Sequence, residues 1–125
     1  MKGEWKSFHV RPEDEKTALD YYDEQESKRY SLSNAMRTIQ RKITFRCVQI
    51  AGLVNNKRVL DAGCGPGFSL DALAELGFED IAGFDVVPAF VKIAKGRGYK
   101  VKLGDLRVIP FESESFDAIV SVSSL

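Results

Sequence analysis

"VLDAGCGPGFSLDALAEL", residues 59–76, decides how the rest of the chain is read. Two apolar residues lead into Asp61. Gly63, Gly65 and Gly67 then alternate with Cys64 and Pro66, and a helical pattern follows from Phe68. Glycine is needed where backbone must approach a ligand or take positive φ, so the stretch predicts a strand, a ligand-facing loop and a helix. The dinucleotide fingerprint G-x-G-x-x-G does not fit, because the third glycine stands at Gly67 and its proper place is Phe68. A Walker loop is excluded, since no Gly-Lys-Ser/Thr follows. Asp61 at the mouth of the loop would repel a pyrophosphate but suits a ligand presenting ammonium or hydroxyl groups.

Downstream, strand and helix patterns alternate. Strands are expected at 57–61, 80–86, 99–103 and 116–122. Helices are expected at 68–76, with Gly77 as its cap, and at 88–95. Alternation of this kind implies parallel strands joined by crossover helices, with the ligand beyond the carboxyl ends of the strands. Asp85 ends the second strand, 22 positions after Gly63, where an acid accepts both ribose hydroxyls. Asp105 stands at the third tip, where an acid can receive an adenine amino group. Singly, the glycines could make a tight turn, Asp85 could cap the helix before Pro88, and Asp105 could be a turn residue. Together, three acids at successive tips describe a nucleoside with a positively charged tail, which is S-adenosylmethionine.

Upstream, residues 1–33 are highly charged. Pro12, followed by Glu13, Asp14 and Glu15, with Lys28 and Arg29 further on, predicts a helix with dipole-matched ends. Ser33 or Asn34 caps a second helix, ended by Asn55-Asn56, whose Met36, Ile39, Ile43, Cys47, Ile50 and Val54 form one apolar face. Between Arg37 and Arg58 lie six basic residues and no acid. That run is read as a solvated helix face in preference to a patch for RNA phosphates.

The chain has 125 residues, 44% of them hydrophobic and 29% charged, with a formal net charge of zero. This suits one small domain without a global field for nucleic acid or anionic membrane. Cys47 and Cys64 lack metal-ligand spacing and are expected as free thiols. With no leader or membrane-spanning run visible, a cytoplasmic setting is expected. His9 receives no role, and neither a catalytic residue nor a metal ligand is assigned.

"VLDAGCGPG", "GFDVVPAFVKIAK", "LGDL" and "FDAIVSVSSL" resemble, in order, the nucleotide-binding motifs of class I S-adenosylmethionine-dependent methyltransferases. "YDEQESKRY", "IQRKITFR" and "LGDLRVIPFESESFDAIVSVSSL" are similar to the narrower family that methylates N7 of a guanine in small-subunit ribosomal RNA. The resemblance implies an α/β, Rossmann-like fold with a parallel sheet of order 3-2-1-4, truncated after the fourth strand. It divides the chain into a charged helical lid, 1–33, and a cofactor-binding domain, 34–125. Asp61, Gly63 and Gly65 would line the methionine and ribose side, and Asp85 would grip the ribose with Val86 packing on the adenine. Asp105 and Leu106 would meet the adenine edge. Ser121 would lie beside the transferable methyl, and Tyr30 would reach from the lid toward the methionine end. Cys64 is counted with these loop positions, its side chain read as a small space-filler.

The resemblance also implies an RNA substrate and a small zinc-binding activator subunit, docked on the edge of the third strand, 99–103. Lys100 and Lys102 could equally be edge-protecting charges there. Truncation predicts self-association through residues 116–125. No Asn/Asp-Pro-Pro-aromatic motif follows the fourth strand, which lowers the case for amide-type acceptors. A non-catalytic binding module and a dinucleotide-dependent oxidoreductase are the other classes considered.

Overall fold

The computed structural model describes residues 23–122. Its elements, in chain order, are α1 (Glu24–Ser31), α2 (Asn34–Ala51), β1 (Val59–Ala62), α3 (Phe68–Glu75), β2 (Ile81–Asp85), α4 (Pro88–Gly96), β3 (Lys100–Leu103) and β4 (Ala118–Val120). All ladders are parallel and the sheet order is β3-β2-β1-β4, as expected.

Strand alternation divides the core in two. Val59 and Val101 point to one face, where Leu70 and Leu73 of α3 meet Val91 and Ala94 of α4. Leu60, Ala62, Ala82 and Phe84 point to the other, which Phe111 and Phe116 cover in an edge-on pair 5.3 Å apart. No helix among the described residues lies on that second face; the irregular segment between β3 and β4 covers it. Phe68 and Phe84 are both 1% exposed, and burial of each ring contributes about 2–3 kcal/mol.

The helix predicted from Pro12 lies outside the described residues as far as Tyr22. Within them it is replaced by a shorter helix. Asp23 is extended and its carboxylate accepts the Glu26 amide at 2.8 Å, so α1 starts afresh there. Ser33 caps α2, accepting the Met36 amide. That helix ends earlier than expected, because Gly52 takes the left-handed conformation and closes it ahead of Asn55-Asn56.

The apolar face predicted for α2 is turned outward. Ile39, Ile43 and Ile50 are 49%, 41% and 72% exposed, while Gln40 and Thr44 are buried. Ion pairs accompany this orientation, and Val48 of the same helix packs on the core. Arg37 reaches Asp71 and Arg41 reaches Glu75, both on α3, and the Arg37 guanidinium lies 4.7 Å from the centre of the Phe68 ring. Arg58 pairs with Asp117 at the foot of β4. Three of the six basic residues, Arg37, Arg41 and Arg58, are thus paired with carboxylates while staying partly open to solvent, and Arg46 bonds Gln49 on its own helix.

Candidate cofactor-binding site

β1 and β2 run side by side, and their carboxyl ends bring Asp61 and Asp85 to the same side of the sheet. The loop between β1 and α3 is pinned to β2. Gly63 and Cys64 both donate their amides to the Phe84 carbonyl, at 2.9 and 3.0 Å. Gly65 donates to Asp85 Oδ2 at 2.8 Å, and Val87 donates to Asp85 Oδ1 at 2.9 Å. Gly63, Gly65 and Gly67 all have positive φ, which the tight path of this loop requires. With these amides spent, the loop does not form an anion nest for a pyrophosphate. The dinucleotide reading therefore loses its structural basis.

Asp85 is nearly buried, and desolvation pushes its carboxyl up while the Val87 and Gly65 amides pull it back. Each carboxylate oxygen accepts one backbone amide and retains a second lone pair for a ligand hydroxyl. Asp61 is fully buried, and neither of its oxygens has a hydrogen-bond partner. Burial, and secondarily the nearby Asp85 charge, push its carboxyl well above the ordinary range. An orphaned buried carboxyl is costly unless a partner arrives.

Cys64 is also buried, with its side chain against β2. A Cβ placed on Gly83 would lie 2.8 Å from Cys64 Cβ and 2.9 Å from Sγ, so this strand position has room for glycine alone. Burial and the two neighbouring acids push the thiol up, away from the thiolate form.

The remaining predicted positions separate. Val86 is half-buried beside Asp85, and Gly63 is half-buried in the loop. Asp105 lies in the turn after β3 and is held by Arg107 through its backbone amide at 2.8 Å and its guanidinium, which holds its carboxyl below the usual value. Leu106 is 62% exposed, and Ser121 is exposed just past β4. Tyr30 stacks on Phe68 at the start of α3 and tilts against Phe90 in α4. Its hydroxyl accepts from Gln40 Nε2 at 2.5 Å.

Sequence reasoning missed Phe68, Phe90 and Gln40, which fix Tyr30. Gln40 stands at the margin of the apolar stripe of α2, next to Cys47 around the helix, so periodicity alone gave it no separate signal. A groove of about 730 Å³ between α1 and α4 is lined by Lys28, Leu32, Pro88 and Ile93 among others. None of the predicted site residues lines it.

A family model described as a methyltransferase domain matches residues 60–125. The chain belongs to that family. It is 31% identical to an 18S rRNA (guanine(1575)-N(7))-methyltransferase of Saccharomyces cerevisiae, over 92% of this chain and 43% of that protein. It is 36% identical to an 18S rRNA (guanine-N(7))-methyltransferase of Bos taurus, over 84% of this chain and 39% of the relative. The chain thus spans about two fifths of the length of these curated relatives. A crystal structure from Methanococcus maripaludis, assigned to the S-adenosyl-L-methionine-dependent methyltransferases, superposes with a TM-score of 0.69 at 24% identity, covering 79% of this chain and 49% of that one. At that identity the likeness establishes the fold. Among the described residues, no helix is long and apolar enough to cross a membrane.

Proposed function

We propose that the tips of β1, β2 and β3 bind S-adenosylmethionine, and that the domain serves methyl transfer to N7 of a guanine in small-subunit ribosomal RNA. The observation that carries this reading is the pair of buried acids, Asp61 and Asp85, beside a glycine loop whose amides are already spent. Such a site favours hydroxyls and a positive charge over phosphate. The similarity to two 18S rRNA guanine-N7 methyltransferases over most of this chain supports the acceptor.

Asp61, Asp85 and the glycine loop would hold S-adenosylmethionine, which when bound would supply an activated methyl group on its sulfonium. Guanine N7 carries a free lone pair, so no side chain has to remove a proton from it. The residues of this chain bind and orient. Asp85 accepts the ribose hydroxyls with its remaining lone pairs, and Asp61 faces the amino end. Gly63, Cys64 and Gly65 supply the loop, and Val86 and Leu106 pack on the base. Asp105 meets the base edge only by sharing its carboxylate with Arg107. Tyr30 acts through its ring, because its hydroxyl is bonded to Gln40.

The same reading includes a small zinc-binding activator added as a strand to the open side of β3, and self-association through β4. In support, β3 and β4 are the sheet edges among the described residues. Lys100 and Lys102 lie over Phe111 at 5.9 and 4.6 Å, so these charges fold onto the sheet face.

Calorimetric titration with S-adenosylhomocysteine, followed by methyl incorporation into ribosomal RNA, tests the proposal. Saturable binding with transfer supports it. Absence of binding overturns the cofactor assignment, and binding without transfer to any RNA favours a non-catalytic module.

A further inference from the structure

Asp61 is the least satisfied polar group at the site. It is 0% exposed, and both carboxylate oxygens lack a partner, whereas every other acid in its surroundings is engaged. The groups facing it can be named element by element. Its neighbour on β2 is Gly83, with Asp85 two positions further along the same face; its neighbour on β4 is Val120. In the loop stands the Cys64 thiol, close enough to feel both acids. On α3, Asp71 is engaged by Arg37 of α2, by Arg97 and by Tyr99. Among the described residues, no cation pairs with Asp61. A bare carboxylate in such a place, beside a second acid, has nothing to offset its desolvation.

We infer that Asp61 carries a proton in the ligand-free protein and releases it to solvent when a ligand bearing a positively charged amine takes the place of that proton. The inference rests on the cofactor reading above and adds a consequence to it. The site selects ligands with an ammonium group, and their affinity is linked to pH. The balance is simple. The carboxyl O–H breaks, its proton leaves for the buffer, and the resulting carboxylate pairs with the incoming ammonium. Burial keeps the neutral carboxyl in place before binding, and the ion pair keeps the carboxylate afterward. Asp85 does not serve this role, because its two oxygens are already held by the Gly65 and Val87 amides, which favour its charged form.

The experiment is calorimetric titration of the 125-residue chain in buffers of different ionisation enthalpy. S-adenosylhomocysteine and 5′-methylthioadenosine, which lacks the amino-acid tail, are compared from about pH 5 to about pH 8. With S-adenosylhomocysteine the dependence on buffer gives about one proton released, and affinity rises up to about tenfold per pH unit while free Asp61 is protonated. With 5′-methylthioadenosine the dependence vanishes, and Asp61→Asn abolishes it for S-adenosylhomocysteine. A slope of zero with S-adenosylhomocysteine, or equal slopes for the two ligands, overturns the inference. Infrared spectroscopy of the ligand-free protein reads the carbonyl stretch of a protonated carboxyl directly and compares it with Asp61→Asn. Absence of that band across the range overturns proton storage by itself. Presence of the band with no binding of either nucleoside overturns the cofactor reading and leaves the protonated acid established.

Discussion

Asp85 Oδ2 accepts the amide of Gly65 across 2.8 Å, so the acid at the tip of β2 is also the clamp on the loop leaving β1. Its other oxygen accepts the Val87 amide at the start of α4. One side chain therefore ties strand, loop and helix together, and under the proposed function the same carboxylate would also hold the ribose.

Replacement of Asp85 should accordingly affect stability and affinity together. Asp85→Ala leaves two buried amides without an acceptor, at a cost of about 1–3 kcal/mol each. The same change removes charge-assisted bonds to the ribose, each worth about 1.5–3 kcal/mol. Urea unfolding and calorimetry with S-adenosylhomocysteine measure the two losses. Wild-type affinity in the variant would show that the ribose is held elsewhere.

Gly83 and Cys64 form a matched pair across β2 and the loop. Gly83→Ala drives its methyl to 2.8 Å from Cys64 Cβ and 2.9 Å from Sγ, with the Asp61 carbonyl at 3.2 Å behind. Overpacking of this kind costs about 1–3 kcal/mol. Adding Cys64→Gly should recover part of that loss in the double variant, measured by urea melts. No recovery would show that the clash is with the β1 backbone.

The sheet order and the β1–β2 site were legible because the code for them is local. Alternating strand and helix patterns, glycines at 63, 65 and 67, and acids at the tips of the first three strands all follow from chain spacing. The place of Asp85 at the end of β2 follows this way, and so does the space-filling part of Cys64. The orientation of α2 was not legible, because periodicity identifies an apolar face without identifying what covers it. The partners of Arg37 and Arg41, Asp71 and Glu75 on α3, stand thirty-four residues later in the chain. Asp105 reads from the sequence either as an acid at the adenine edge or as a turn residue, and its local bond to Arg107, two residues on, was not legible from spacing alone.

Stability of the ligand-free protein should depend on pH in opposite senses at two acids. Burial holds Asp61 above its unfolded value of about 3.9. Its stabilising contribution is therefore complete below that value and lost as pH rises through the native pKa. Arg58 holds Asp117 down to about 2, so that contribution is present above about pH 4 and lost as pH falls toward about 2. Asp61→Asn should flatten the decline at higher pH without altering the acid limb. Asp117→Asn should do the reverse, with a small amplitude because that pair is open to solvent. Denaturant melts across the pH range check both, and an unchanged upper limb in Asp61→Asn would show that another group titrates.

Tyr30 and Gln40 give the last test, because hydroxyl and ring have separable tasks. Gln40 is 2% exposed and uses Nε2 on the Tyr30 hydroxyl, with Oε1 accepting from Ser69 at 3.4 Å. The Tyr30 ring bridges Phe68 and Phe90, on the helices that follow β1 and β2. Tyr30→Phe keeps the ring and strips the buried amide of an acceptor, so stability should fall by about 1–3 kcal/mol while cofactor affinity stays near wild type. Tyr30→Ala removes the aromatic contacts as well, and aromatic pairs contribute about 0.5–1.5 kcal/mol each beyond their buried area. That variant should lose affinity in addition to stability. Thermal melts and titration with S-adenosylhomocysteine separate the effects. If Tyr30→Phe loses affinity while its stability is unchanged, the hydroxyl contacts ligand and the bond to Gln40 is incidental.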